Sequence, residues 1–233
     1  MFEYTKYVEH TVSTLKRPNL VGERVVSRRI FEHEATAKNY LDWIFKQEPI
    51  WLDLRGVGKI GSRQLRPLDT LRFLFADELD GQNLVGLAQN FPSLRFLAIE
   101  RAAALTSLLG AEHLVDLEFL FIPNSGIRDI EPIDELVKLE FLNITGAPVE
   151  RIDTLSNKSN LRILDISSTK VTSIEPIRAC KGLELFIATG MKLNSLAALD
   201  KLEKLKELRL DKDVHLTPAL SAKQRAGTLT VHQ

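Results

Sequence analysis

The chain has 233 residues, 44% hydrophobic and 27% charged, and its 31 basic and 31 acidic side chains give a formal net charge of zero. A balanced chain has no whole-molecule field to draw it toward nucleic acid or anionic lipid. A single cysteine, Cys180, excludes an internal disulfide framework and a cysteine-based zinc cluster.

The opening stretch MFEYTKYVEHTVSTLKRP is charged throughout and lacks the apolar run of a secretory signal. No segment approaches the ~18 consecutive apolar residues of a membrane-spanning helix, so a cytoplasmic protein is expected. Alternation in VEHTVSTL and in ERVVSRRIF points to short strands, with a turn near Pro18 to Gly22. From Glu34 to Gln47 the apolar positions Ala37, Tyr40, Leu41, Ile44 and Phe45 recur at i, i+3, i+4, i+7 and i+8, which predicts an amphipathic helix ended by Pro49.

From Leu71 onward the chain is repetitive. The segments LRFLFA, LRFLAI, LEFLFI, LEFLNI, LRILDI, LELFIA and LKELRL begin at Leu71, Leu94, Leu117, Leu139, Leu161, Leu183 and Leu205, with spacings of 23, 23, 22, 22, 22 and 22 residues. Such a period marks a solenoid in which each unit stacks on the last. A degenerate first unit starts near Pro49 and carries Leu52, Leu54, Leu65 and Leu68. Thr217 and Pro218 read as the N-cap and first residue of a helix. Leu229 and Val231, 21 residues after Leu208 and Leu210, read as a ninth and last strand. Residues 1–48 are then an extension with a capping helix, and residues 49–233 the solenoid.

The unit resembles the short 22-residue class of leucine-rich repeats found in phosphatase-regulator proteins and bacterial internalins, LxxLxIxxTxIxxIxPLxxLxx. Ser167 to Gly182 (SSTKVTSIEPIRACKG) and Pro123 to Lys138 (PNSGIRDIEPIDELVK) carry the I-x-P-I form. The resemblance covers about four fifths of the chain. It implies an α/β horseshoe with one parallel sheet of about nine strands on the concave side and an N-terminal helical cap. It also implies a role in binding other proteins.

In that register the third position of successive units reads Trp51, Phe73, Phe96, Phe119, Phe141, Ile163, Leu185, Glu207. The fifth reads Asp53, Phe75, Ala98, Phe121, Asn143, Asp165, Ile187, Arg209. Both columns alternate with the core leucines and therefore face the concave side. The expectation is an exposed aromatic patch with Trp51, Phe73, Phe75, Phe96, Phe119, Phe121 and Phe141 at its centre and Asp165 and Arg209 toward its end, meeting a partner protein. The competing reading is that third-position aromatics simply pack on one another. A mixed-charge rim at the seventh and eighth positions includes Arg55, Asp77, Glu78, Glu100, Arg101, Asp211 and Lys212.

Sharper chemistry fails on inspection. Gly56, Gly58 and Gly61 match G-x-G-x-x-G, but they fall between strands too closely spaced for a dinucleotide-binding crossover helix. The five histidines are isolated, and Cys180 takes a position held elsewhere by leucine. Asp53 and Asp165 share a column with four units between them, beyond the ~10 Å of an acid–base pair. The basic cluster Lys16, Arg17, Arg24, Arg28 and Arg29 is interleaved with glutamates and reads as a solvated face. No enzyme, cofactor, metal, small-molecule substrate, nucleic acid or membrane partner is expected. The expected function is a monomeric regulator, inhibitor or adaptor that binds a folded protein, with a non-catalytic subunit of an enzyme or ribonucleoprotein complex as the alternative.

Overall fold

The computed structural model describes residues 50–55 and 65–233, together with the backbone of residues 25–26 and 59–61. The expected helix over 34–47 and the expected strand in VEHTVSTL lie outside the described residues. Strands β1 (Val25–Val26), β2 (Trp51–Asp53), β4 (Phe73–Ala76), β6 (Phe96–Ile99), β7 (Phe119–Phe121), β8 (Phe141–Asn143), β9 (Ile163–Asp165), β10 (Leu185–Ala188), β11 (Glu207–Leu210) and β12 (Thr230–His232) form one sheet in chain order. Every pairing in it is parallel.

The register is the one the repeat predicts. Leu74, Leu97, Leu120, Leu142, Leu164, Phe186 and Leu208 stand opposite one another in successive strands. All seven are fully buried, and with the first-position residues and the sixth-position residues from Ile99 onward they belong to one continuous core that runs from Leu52 to Leu229. Leu52, Leu54, Leu65 and Leu68 of the degenerate first unit are buried in it as well.

Two details differ from the expectation. Among the described residues the sheet has ten strands, because Val25 and Val26 pair in parallel with Trp51 and Leu52 and carry the array back into residues 1–48. At the other end Val231 stands opposite Leu208 rather than Leu210. The helix before it, α2 (Pro218–Arg225), lengthens the last unit and shifts its register by two residues. Thr217 caps α2 as expected, its hydroxyl accepting from the Leu220 N–H at 3.2 Å.

A 22-residue unit leaves little chain for its return path. Most units spend it on short 3₁₀ turns, at Ala111–His113, Glu131–Ile133, Asp153–Asn157, Glu175–Ala179 and Ala197–Leu199. Pro132 and Pro176 open two of them, where a missing N–H costs nothing. One unit uses a six-residue helix instead, α1 (Val85–Asn90).

Strands β7 to β10 each end in a turn whose eighth-position residue is left-handed: Asn124 (φ 54°), Gly146 (73°), Ser168 (55°) and Gly190 (68°). The N–H groups of Asn124, Gly146 and Ser168 donate to Thr145, Ser167 and Thr189 of the next unit at 2.6–2.8 Å. The turns therefore continue the hydrogen-bonded ladder past the sheet.

The glycine motif is part of a second structure. β3 (Lys59–Gly61) pairs in parallel with β5 (Glu78–Asp80) in a separate two-stranded sheet. Gly61 thus lies in a strand, and the described residues after it, 65–68, are not helical.

A stacked aromatic ladder as candidate interaction face

Alternation along each three- or four-residue strand sends the fourth position into the core and the third and fifth to the opposite side. Phe75, Phe96, Ala98, Phe119, Phe121 and Phe141 accordingly form a cluster separate from the main core, with Trp51, Phe73 and Ile163 packed against it. The sequence brings these residues together as expected. Their exposure is different.

Phe96, Phe119 and Phe141 stack nearly face to face, with centroids 3.9 Å apart and planes at 10° for both steps. Strands in a sheet stand about 4.8 Å apart. The rings are closer than the backbones that carry them, as side chains on the inner side of a curved sheet must be, and no water fits between them. Trp51 stacks on Phe73 (5.0 Å) and Phe75 (4.9 Å), and Phe75 meets Phe96 at 4.6 Å. The Arg55 guanidinium stands 5.0 Å from the centre of the Phe75 ring.

The expected exposed patch is therefore a buried one. Phe119 is 0% exposed, Phe96 1%, Phe141 3%, Phe75 4% and Phe121 7%. Trp51 and Phe73 are half-buried.

Beyond the rings the fifth column turns polar. Asn143 and Asp165 are 1% and 2% exposed, and the Asn143 amide donates to Asp165 Oδ2 at 3.1 Å. Each also folds back on its own strand: Asn143 Oδ1 accepts from the Thr145 N–H and Asp165 Oδ1 from the Ser167 N–H, both at 3.0 Å. Asp53 does the same for Arg55 at 3.1 Å. These side chains close the strand-end turns, a structural task that the sequence reading did not assign to them. Arg209 is half-buried and donates to Glu207 Oε1 at 2.8 Å.

Rim charges pair within the chain. Arg55 bridges Asp53 at 2.7 Å and Glu100 at 3.1 Å, and these hydrogen bonds raise its already high pKa. Arg101 meets Asp77 at 3.3 Å.

A third column escaped the sequence reading. The second positions are Arg72, Arg95, Glu118, Glu140, Arg162, Glu184 and Lys206, every one charged, and that uniformity was legible. Arg95 pairs with Glu118 at 2.6 Å, Arg162 with Glu140 at 3.5 Å and Glu184 at 2.8 Å, and Lys206 with Glu184 at 2.8 Å. Burial pushes the Glu184 carboxyl up, but the hydrogen bonds from Lys206 and Arg162 outweigh it and leave the pKa below the usual carboxylate value.

Little in this arrangement serves catalysis. Burial pushes the Cys180 thiol up to about 12, and its Sγ lies 3.2 Å from the Leu155 carbonyl oxygen. A thiol so held is not a nucleophile. Among the described residues no group of three His, Cys, Asp or Glu side chains is placed to hold a metal ion. A recess lined by Leu65, Leu79, Asp80, Gly81, Asn83, Gly86 and Leu87 measures about 70 Å³. Ligand sites run to roughly 300 Å³ and more. No described helix is long and apolar enough to cross a membrane.

Solved structures share the architecture. An internalin (InlF) from Listeria monocytogenes superposes with a TM-score of 0.62 at 19% identity, over 70% of this chain and 48% of its own. Internalin C2 from the same organism gives 0.57 at 20% identity, over 76% and 85%. A leucine-rich repeat protein from Leptospira interrogans gives 0.53 at 16%, over 73% and 50%. The chain thus spans about half the length of the first and third of these. No protein-family model and no curated protein matches the sequence. The fold is a leucine-rich repeat solenoid, of the kind the 22-residue unit resembled.

Proposed function

We propose that this chain is a non-enzymatic, cytoplasmic protein-interaction module that holds a folded partner against its concave face as a regulator, inhibitor or adaptor. The observation that carries the reading is the ladder itself. A second apolar cluster, set apart from the core and built of seven aromatic side chains, lies on the one broad face of the solenoid. Its burial fixes the division of labour. Phe75, Phe96, Phe119, Phe121 and Phe141 form a rigid floor, and the half-buried Trp51, Phe73 and Arg209 reach the partner at its ends, with Asp165 holding the polar side in place. A floor that is already ordered loses little side-chain entropy on binding, which favours affinity. Internalins share this scaffold at a level of identity that speaks for the fold alone.

Site-specific photo-cross-linking tests the reading. A photoreactive residue at Phe73 or Arg209, installed in the source cell, is expected to trap one and the same protein, and the same residue at the convex, half-exposed Val137 to trap none. Equal trapping from Val137, or none from either concave position, overturns it.

A further inference from the structure

Exposure varies along the ladder. Its middle rings are buried, but at the N-terminal end Trp51 and Phe73 are half-buried and lie near Arg55, whose side chain is 39% exposed. Arg55 reaches from the first unit to the third. Its guanidinium lies 5.0 Å from the centre of the Phe75 ring, grips both carboxylate oxygens of Asp53 at 2.9 and 2.7 Å, and donates to Glu100 Oε1 at 3.1 Å. An aromatic face with carboxylates alongside is the environment a guanidinium favours. The chain has built it once for its own arginine.

The charges at this end do not balance. Asp53 and Glu100 bring two carboxylates to the one guanidinium of Arg55, and the neighbouring Arg101 is drawn to Asp77 at 3.3 Å. The Glu100 carboxylate is 46% exposed, and Oε1 alone of its two oxygens is engaged among the described residues. Farther along the array the seventh position is Pro123, Thr145, Ser167 and Thr189, none of them charged. Asp211, at the far end, accepts from the Gly190 N–H at 2.7 Å. Among the described residues, a half-open carboxylate beside accessible aromatic rings is therefore a feature of the N-terminal end.

We propose that this end of the concave face receives an arginine side chain of the partner, its aliphatic stem on Trp51 and Phe73 and its guanidinium on Glu100. Charge complementarity selects the residue. One added cation brings the group of Arg55, Asp53 and Glu100 to neutrality, whereas a carboxylate would meet a net negative charge. Long basic side chains cover apolar surface with their stems and keep the charged end in a polar setting, which matches rings flanked by a carboxylate. Such a seat rests on the concave-docking reading and deepens it by giving the partner's chemistry at one end.

The test uses the full chain without any partner and a small cationic probe, Nα-acetyl-arginine amide, against its uncharged citrulline counterpart. NMR reads the Arg55 Nε–H and the Trp51 indole N–H, the latter told apart from Trp43 by a Trp43→Phe variant. The arginine probe is expected to shift both signals along one saturating curve, and the citrulline probe to give no saturation. Glu100→Gln keeps an oxygen for Arg55 but removes the charge, and it is expected to weaken the arginine probe by about three-fold, the scale of an exposed ion pair. Shifts without saturation, equal binding of the citrulline probe, or full affinity in Glu100→Gln each overturn the proposal. A partner trapped from Phe73 or Arg209 alongside any of these results leaves the docking reading standing, so the two fail separately.

Discussion

Phe119 shows how position in a column decides what a side chain does. On an isolated strand a third-position phenylalanine would project into solvent. Here Phe96 and Phe141 cover its two faces at 3.9 Å, and the residue is fully buried although it is not in the main core. Each such pair adds about 0.5–1.5 kcal/mol beyond area burial, and truncating a buried phenylalanine costs about 3–5 kcal/mol. Phe119→Ala is therefore expected to destabilise the fold by about 3–5 kcal/mol in urea unfolding, with an unchanged slope. A loss under ~1 kcal/mol would show that the stack does not stabilise the chain. Phe119→Asp is expected to cost more, because it buries a carboxylate against two aromatic faces. The sequence reading left these rings open between a partner surface and packing on one another, because residue spacing along the chain carries no information about curvature. Alternation assigned the face correctly, but the 3.9 Å separation that closes it depends on how the whole sheet bends.

At the scale of the element, the twentieth-position column carries Leu136, Lys158, Cys180 and Leu202 behind the 3₁₀ turns, and all four are fully buried. The leucines and the cysteine were readable as core from their place in the repeat. Lys158 was not singled out, since nothing in its neighbourhood marks a buried ammonium. Its Nζ donates to the Asp134 carbonyl at 2.8 Å and to the Asn157 side chain, so one lysine ties two consecutive turns together. Burial depresses its pKa below the usual lysine value, with the Asp134 charge opposing. The unfolded state thus binds the proton more tightly than the folded state, and the penalty is fully present below the folded pKa. As pH rises through that value toward the ordinary lysine range the penalty is relieved, so this group makes the fold more stable with increasing pH. The stability of wild type minus that of Lys158→Met is expected to increase as pH rises toward the ordinary lysine value of about 10.5, measured by urea midpoints in parallel. A difference that is flat or falls with pH would mean that Lys158 is well solvated. The strands were legible for the converse reason: three leucine-type positions per unit survive almost every substitution. β1 escaped as the start of the array because Val25–Val26 has no L-x-x-L-x-L around it.

In the whole molecule each unit touches only its neighbours, and stability in such arrays sums over units and the interfaces between them. The buried core nevertheless runs without a break from Leu52 to Leu229, so unfolding is expected to be a single cooperative event. The chain carries its own reporters. Both tryptophans, Trp43 and Trp51, lie at the N-terminal end, and the buried Cys180 lies several units away. Tryptophan fluorescence and thiol labelling should therefore show one common urea midpoint, and labelling that precedes the fluorescence change would divide the array into independent blocks. Leu142, fully buried between Leu120 and Leu164, is the place to break it. Leu142→Asp puts an unpaired carboxylate in mid-core, a change in the class that costs more than ~4 kcal/mol. Both signals are expected to move to much lower urea together, or to be lost at zero urea. If only the Cys180 signal moves, the interface between β8 and β9 is weaker than the continuous core implies. An unchanged midpoint would mean that the residue at the fourth position does not face the core, and the alternation that places the aromatic ladder on the opposite side would fail with it.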